Sequence, residues 1–389
     1  MRILFIFDRD IIPERGGIER VTALLADEME KRGHNITYLS LSEKMEKGPE
    51  EARQVSIPLQ SDNFRERLNG LLETRKIDTV IFQGANKTVV SVLDKVPSDF
   101  RKYLVLHIKP HVFHGNERAI MRLTPWNDLS GKRKLMKLMG LAFPPLLRKI
   151  NLKRYNALYR HIMNHTDRLV LLSQHSVARI LSLGGGMDPS RLVAINNPNT
   201  FEIPDTENAQ DKENLVIFVA RLSNPQKNVT GFIDVWRKFH KMRPDWKAVI
   251  IGDGEHRAMA EKYAERKRVG NLSFAGHQKF ISDYYRWAKM ICMTSTYEGW
   301  GMVLTEAMAY DCVPVVYDSY EAVHEIIHHN HNGMLVRPFR EDEMAKAMKR
   351  IADDEALRKS MAAAGREKIN DFRIERIVDR WEELLMGEK

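Results

Sequence analysis

Ile3-Leu-Phe-Ile-Phe7 is an unbroken apolar run that stops at Asp8-Arg9-Asp10. A short apolar run bounded by charge reads as a strand buried on both faces, as parallel sheets require. Pro13 and Gly16-Gly17 mark a turn, and Val21, Leu24, Leu25 and Met29 then recur at helical spacing up to Gly33. Ile36–Leu41 supplies a second strand. Strand, turn, helix and strand within forty residues form a βαβ unit. Thr79–Phe82, Tyr103–Leu106 and Arg168–Leu172 continue the series. The polar, proline-bearing stretch Asn196–Asn214 reads as a linker. The same grammar then restarts. Leu215–Ala220, Lys247–Ile251, Leu272–Phe274, Met290–Met293, Val313–Tyr317 and Gly333–Val336 read as strands, and Val229–Met242 as a helix. The expected fold is α/β, with two Rossmann-like, doubly wound domains facing across a cleft. The expected boundaries are 1–200, 201–370 and a closing helical stretch over 371–389.

Composition removes several classes. With 43% hydrophobic and 29% charged residues over 389 positions, the chain is neither disordered nor fibrous. Cys292 and Cys312 cannot frame a disulfide scaffold and lack the spaced partners of a zinc site. The apolar start is too short for the core of a secretory signal, and Leu138–Leu147 is too short and too broken by Gly140, Pro144 and Pro145 to span a bilayer. A cytoplasmic setting is therefore expected.

The net charge of +9 is unevenly placed. Residues 101–165 carry fourteen Lys and Arg against two acids, Glu117 and Asp128, so the remainder of the chain is slightly acidic. Lys132, Arg133, Lys134 and Lys137 sit among Leu135, Met136, Leu138 and Met139. Cations beside apolar side chains suit an anionic membrane surface, at the inner face of the plasma membrane for a cytoplasmic protein. No nucleic-acid motif is present, and the aromatic residues do not alternate with the basic ones as in a stacking platform.

In open parallel sheets, ligands bind beyond the carboxyl ends of strands. Four stretches lie there. The first is Glu298-Gly-Trp-Gly301-Met-Val-Leu-Thr-Glu306-Ala-Met-Ala309, after the strand Met290–Met293. Seven residues separate its two acids, a spacing also found at Glu43/Glu51 and Glu375/Glu383, so context rather than spacing distinguishes it. Glycines at a helix start let an anion approach free N–H groups, and a carboxylate further along can accept vicinal hydroxyls. The second is Arg221-Leu-Ser-Asn-Pro-Gln-Lys227-Asn228, whose two cations can neutralise a diphosphate. Alternatively it is a solvated loop leading to an Asn-capped helix. The third is Arg15-Gly16-Gly17, which is not a G-x-G-x-x-G fingerprint. The fourth is His107, at the end of Tyr103–Leu106, either a substrate contact or base, or a hydrogen-bonded core histidine. His111 and His114 lie nearby, but no carboxylate completes a metal set and Pro110 breaks the helical spacing.

Together these residues resemble the retaining glycosyltransferases of family 4, which have the GT-B fold. The resemblance covers nearly the whole chain and is strongest from Leu215 to Pro338. It rests on Glu298 to Glu306 as the E-x7-E element, on Arg221 and Lys227 after Ala220, on Gly252-Asp-Gly254, on Gly16-Gly17 and on Asn332-Gly333-Met-Leu-Val336. Trp300 stands where the family more often has Phe, a change in a packing residue.

The resemblance implies transfer of a hexose or N-acetylhexosamine from a nucleotide-diphosphate sugar, with retention and without a metal or other cofactor. A uridine nucleotide is the expected donor. Arg221 and Lys227 would hold the diphosphate. Gly16, Gly17 and the backbone of Gly301, Met302 and Val303 would cradle phosphate and sugar. Glu306 would bind the ribose, Glu298 the donor sugar, and Gly276-His277 the base. His107 would contact the sugar or stabilise transition-state charge. The helix Glu375–Leu385 would pack back on the amino-terminal domain. The expected acceptor is a saccharide or a polyprenyl-linked or other glycolipid saccharide, in surface polysaccharide or glycolipid synthesis, with the basic segment on the acceptor side. The competing readings are a nucleotide-sugar epimerase or phosphorylase on the same architecture, a dinucleotide-dependent dehydrogenase, and a non-catalytic membrane- or polyanion-binding scaffold.

Overall fold

The computed structural model describes residues 1–43, 53–112, 117–204 and 212–387. Glu51, His114 and part of the expected linker, 205–211, lie outside the described residues. By contacts the chain divides into two compact units. One comprises Met1–Pro110, Lys153–Thr200 and Phe372–Lys389, the other His111–Leu152 and Phe201–Asp371. The sequence keeps 1–200 together, with the basic segment 101–165 on the acceptor side. Contacts instead group 111–152 with the second unit, and one tie is a 2.8 Å hydrogen bond between His256 Nε2 and Asp128 Oδ2.

Among the described residues of the first unit, seven strands pair in parallel: β1 (Arg2–Phe7), β2 (Asn35–Ser40), β3 (Gln54–Ser56), β4 (Thr79–Gln83), β5 (Arg101–Leu106), β6 (Arg168–Leu171) and β7 (Leu192–Ala194). Their spatial order is β3-β2-β1-β4-β5-β6-β7, so the winding reverses between β1 and β4. Ile3 to Phe7 are buried, as an unbroken apolar run on a sheet covered on both faces must be. The edge strands β3 and β7 were not anticipated. Each has three residues, too few to show a period.

The helix Ile374–Met386 belongs to this first unit. Arg32 Nη1 donates to Asp379 Oδ1 at 2.6 Å and to Glu382 Oε2 at 2.9 Å, His34 Nε2 lies 2.8 Å from Glu382 Oε1, and Arg380 donates to Asn196 Oδ1 and the Ala194 carbonyl, each at 2.8 Å. Arg32 is mostly covered, so these pairs hold better than isolated surface bridges do.

The second unit repeats the design. Its strands are β8 (Glu213–Val219), β9 (Lys247–Ile251), β10 (Leu272–Gly276), β11 (Ala288–Met293), β12 (Val313–Tyr317) and β13 (Met334–Val336), in the parallel order β10-β9-β8-β11-β12-β13. The reversal falls between β8 and β11, so the loops leaving these two strands are neighbours. The helix Val229–Met242 covers the sheet with Phe232, Val235, Trp236 and Phe239, all fully buried; Phe232 stacks on Phe218 of β8 with centroids 4.9 Å apart.

The turn after β9 fixes the loop after β8. Ala220 N–H donates to the Ile251 carbonyl and Leu222 N–H to the Asp253 carbonyl, at 3.0 and 2.8 Å. That approach leaves no room for side chains. A Cβ on Gly252, where φ is 125°, would lie 1.9 Å from the Ala220 carbonyl oxygen, and one on Gly254 would lie 2.6 Å from that of Leu222. Gly252→Ala is therefore expected to destabilise the protein by about 2–4 kcal/mol through backbone strain and overpacking. Gly33→Ala shares a positive φ but meets nothing within 4 Å, and should cost about 1 kcal/mol. Chemical-denaturation midpoints of the two variants check the order.

Candidate active site

The loops leaving β8 and β11 are locked together by one backbone hydrogen bond and three from side chains to backbone carbonyls. Thr296 N–H donates to the Gln226 carbonyl at 2.8 Å, and its Oγ1 donates to that of Pro225 at 2.9 Å. Thr294 Oγ1 donates to the Asn228 carbonyl at 3.0 Å, while Asn228 Nδ2 donates to that of Thr294 at 3.2 Å. Asn228 is left-handed, with φ 50°, and its Oδ1 caps the following helix by accepting from Gly231 N–H. An asparagine tolerates that conformation and caps well, so one residue ends the loop and starts the helix.

This docking brings Lys227 Nζ to 2.6 Å from Glu298 Oε1. Glu298 is buried and Lys227 mostly so, which strengthens the pair and makes removal of either partner costly. Arg221 is exposed at the start of the same loop. Ser223 Oγ, between the two cations, is buried and has no hydrogen-bond partner among the described residues.

Beyond Glu298 the chain turns at Gly301, with φ 93°, into the helix Met302–Ala309. Gly301 at the N-cap has no side chain to cap that helix, and the helix dipole makes its start electropositive. Glu306 is buried one turn in, and its Oε2 accepts from the Tyr285 hydroxyl at 2.8 Å. Tyr285 was missed in the sequence because nothing in a lone tyrosine on the helix Ile281–Trp287 announces a contact 21 positions away. Gly276 ends β10 with φ 71° and its carbonyl accepts from Gly252 N–H at 2.8 Å; His277 beside it is exposed.

His256 was also missed. Asn224 N–H donates to its Nδ1 at 3.1 Å, so the ring proton is on Nε2, facing Asp128. It thereby joins the loop of Arg221 and Lys227 to the segment preceding the helix Gly131–Ala142.

That segment needs one correction. Lys132 and Arg133 are exposed, but Lys137 is only 9% exposed: its Nζ donates to the Thr124 carbonyl and lies 5.7 Å from the centre of the Trp126 ring. It braces the segment and does not face solvent. Lys134 Nζ lies 5.5 Å from the same ring. Trp126, Leu135, Met136, Leu138, Phe143, Leu146 and Ile150 are exposed.

In the first unit, the Gly16 backbone is extended and Gly17 opens the helix Gly17–Lys31. Glu19, buried in the first turn, points its carboxylate at that helix end: a Cβ on Gly16 would lie 2.7 Å from Glu19 Oε2, and Arg9 Nε holds Oε1 at 2.7 Å. The helix start thus faces a carboxylate of the protein itself. Asp8, used in the sequence only to end an apolar run, has a buried Oδ1 with no partner among the described residues, and burial pushes its carboxyl up.

His107 Nε2 lies 2.5 Å from Gln83 Oε1, at the ends of β5 and β4. A carbonyl oxygen only accepts, so Nε2 donates and Nδ1 remains an acceptor. Burial pushes the imidazole down to about 4. The ring is neutral at physiological pH. Between pH 6.5 and 4 the unfolded chain binds a proton that the folded one refuses, so this group's contribution to stability is complete above the upper value and lost as pH falls through the window. Urea midpoints at pH 7, 5.5 and 4 should fall less for His107→Gln than for the unsubstituted protein.

Among the described residues, no group of three or more His, Cys, Asp and Glu side chains is arranged to hold a metal ion. His107 and His111 form no such set.

The chain matches two sequence families, described as Glycosyltransferase Family 4 over residues 15–198 and Glycosyl transferases group 1 over residues 199–368. It is 31% identical over 226 residues to the amylovoran biosynthesis glycosyltransferase AmsD of Erwinia amylovora, covering 56% of this chain and 62% of that protein. An α-1,4-N-acetyl-D-galactosaminyltransferase of Campylobacter jejuni, named for a diphospho-undecaprenol-linked saccharide, is 30% identical over 45% of this chain and 48% of its own length. The chain therefore spans less than two thirds of either relative. An uncharacterized glycosyltransferase of Haemophilus influenzae is 22% identical over 96% of this chain and 97% of its own. In fold, the chain is similar over its whole length and theirs to Anabaena HepE solved with UDP, with TM-score 0.73 and 17% identity, and to the lipopolysaccharide outer core galactosyltransferase WaaB, with TM-score 0.70 and 18% identity.

Proposed function

The chain belongs to the group 1 glycosyltransferases of the GT-B fold, and from that premise we propose that it moves a hexose or N-acetylhexosamine from a nucleotide-diphosphate sugar, with a uridine nucleotide as donor, to a saccharide or lipid-linked saccharide acceptor. The observation that carries the reading is the Lys227–Glu298 pair, placed by backbone docking where the winding of the second sheet reverses. The relatives add support. AmsD is named for amylovoran biosynthesis, the Campylobacter enzyme for an undecaprenol-linked saccharide, and HepE was solved with UDP.

Arg221 and Lys227 neutralise the diphosphate and the charge that builds on it as the glycosidic bond breaks, the electrostatic contribution that usually dominates such catalysis. Two protein cations supply what a metal would otherwise supply, so no cofactor is required. The amides of Gly301, Met302 and Val303 receive phosphate and sugar. Glu306 takes the ribose hydroxyls, with Tyr285 fixing its carboxylate. Gly276 and His277 border the base, and Glu298 takes hydroxyls of the transferred sugar. His107, neutral and with Nδ1 as acceptor, takes a hydrogen bond from the sugar. Transfer proceeds with retention: the acceptor oxygen bonds to the anomeric carbon on the face the phosphate leaves, and the acceptor proton passes to the departing phosphate oxygen.

Thermal shift with UDP, GDP, ADP, CMP and NAD tests the donor. A ligand at one hundred times its dissociation constant stabilises by about 2.7 kcal/mol, a shift of a few degrees. UDP should raise the melting point, and Glu306→Ala should abolish the rise. A shift with no nucleoside diphosphate would overturn the reading.

The acceptor side rests on charge and exposure. Lys132, Arg133 and Lys134 beside exposed Leu135, Leu138, Phe143 and Leu146 support a surface for an anionic membrane carrying a polyprenyl-linked acceptor, and the reading sets the protein at the inner face of the plasma membrane. No helix among the described residues is long and apolar enough to cross a membrane. At about 1 kcal/mol per cation, K132E/R133E/K134E should lose at least a hundredfold in affinity for phosphatidylglycerol vesicles, with the UDP-induced thermal shift unchanged. Vesicle flotation equal to that of the unsubstituted protein would refute this surface.

A further inference from the structure

Tyr320 is 3% exposed, and its hydroxyl has no hydrogen-bond partner among the described residues. It is not loosely held. Ser319 Oγ donates to the Ser295 carbonyl at 2.6 Å, pinning the loop that follows β12 against the one that follows β11. A Cβ on Gly301 would lie 2.4 Å from the Tyr320 oxygen, so the glycine leaves the space that the phenol occupies at the start of the helix Met302–Ala309. Burial pushes the phenol well up, and the charge of Glu298 adds to that. The group is therefore a protonated donor beside an uncapped helix start and a buried carboxylate. A buried hydroxyl without a partner carries a desolvation penalty that no described residue offsets. Sites built for a polar substrate group show this signature when empty, because the substrate supplies the missing partner.

We propose that the Tyr320 hydroxyl donates a hydrogen bond to an oxygen of the transferred sugar and, with Glu298, selects that sugar. Glu298 can only accept while Tyr320 donates, and one sugar hydroxyl can satisfy both by donating to the carboxylate and accepting from the phenol. Two adjacent hydroxyls can do the same. A ligand lacking a hydroxyl there would leave two buried polar groups unpaired, the arrangement that discriminates most strongly between sugars. The inference rests on the nucleotide-sugar reading above and adds Tyr320 as a positioning and specificity residue for the same site.

The test compares paired ligands on Tyr320→Phe: UDP against UDP-glucose and UDP-N-acetylglucosamine, with GDP/GDP-glucose and ADP/ADP-glucose as alternatives. Dissociation constants come from calorimetry. The variant should lose about tenfold, or 1.4 kcal/mol, on the nucleotide-sugar that the unsubstituted protein prefers, and less than twofold on the bare nucleoside diphosphate. In steady-state assays the loss should appear as a raised KM for the donor. The unliganded melting point should be equal or higher, since an unsatisfied hydroxyl is gone. Unchanged affinity for both members of a pair would show a structural role alone, and equal loss on both would place the hydroxyl on phosphate. Either overturns the proposal. If no nucleoside diphosphate binds the unsubstituted protein, or Glu306→Ala binds as well as it does, the nucleotide-sugar reading itself fails, independently of Tyr320→Phe.

Discussion

Hydrogen bonding of Thr294, Thr296 and Asn228 to backbone carbonyls across the loops leaving β8 and β11 is the constraint on which the candidate site depends. Neither loop belongs to a sheet ladder, and each would otherwise leave polar groups unpaired at the end of a buried strand. Thr294, Thr296 and Asn228 satisfy those groups across the gap. Gly252 and Gly254 then press a third loop against the first. Lys227 and Glu298 meet because their backbones have nowhere else to go. Such rigidity suits electrostatic catalysis, which works best when charges are fixed before the substrate arrives.

The Lys227–Glu298 pair also shows how a site for a charged substrate is kept stable while empty. A buried carboxylate alone would be costly, and a mostly buried ammonium likewise. Facing each other, they offset that cost and hold one another in place. Ligand groups of matching charge and polarity can then replace each partner in turn. The uncapped start of the helix Met302–Ala309 is a different case. Its dipole is left for an anion, whereas in the first unit Glu19 faces the corresponding helix end and Arg9 holds that carboxylate. The two units share a winding pattern but not an electrostatic arrangement.

Much of this was legible in the sequence because its causes are local. The strands β9 and β12 and the helix Val229–Met242 fall where apolar runs and periodicity place them. Arg221, Lys227, Glu298 and Glu306 were found because chain order alone puts them just after strands. What stayed hidden depends on long-range contacts. Tyr285 on Glu306, His256 on Asp128 and the lone hydroxyl of Tyr320 involve partners distant in sequence, and no spacing rule connects them. Lys137 shows the opposite error. In sequence it is one of four cations in six residues, yet Thr124 and Trp126 bury it.

One topological feature bears on how the chain comes into being. The first unit is assembled from segments on either side of Phe201–Asp371, which belongs to the second unit. Arg32, His34, Ala194 and Asn196 wait for Asp379, Arg380 and Glu382, which are synthesised after Phe201–Asp371. Domains tend to fold as they emerge, amino-terminal first. Here that order is partly inverted: the unit begun first cannot be sealed until Phe201–Asp371 has been made in full, and a chain stalled before Asp379 leaves its earlier-made part open.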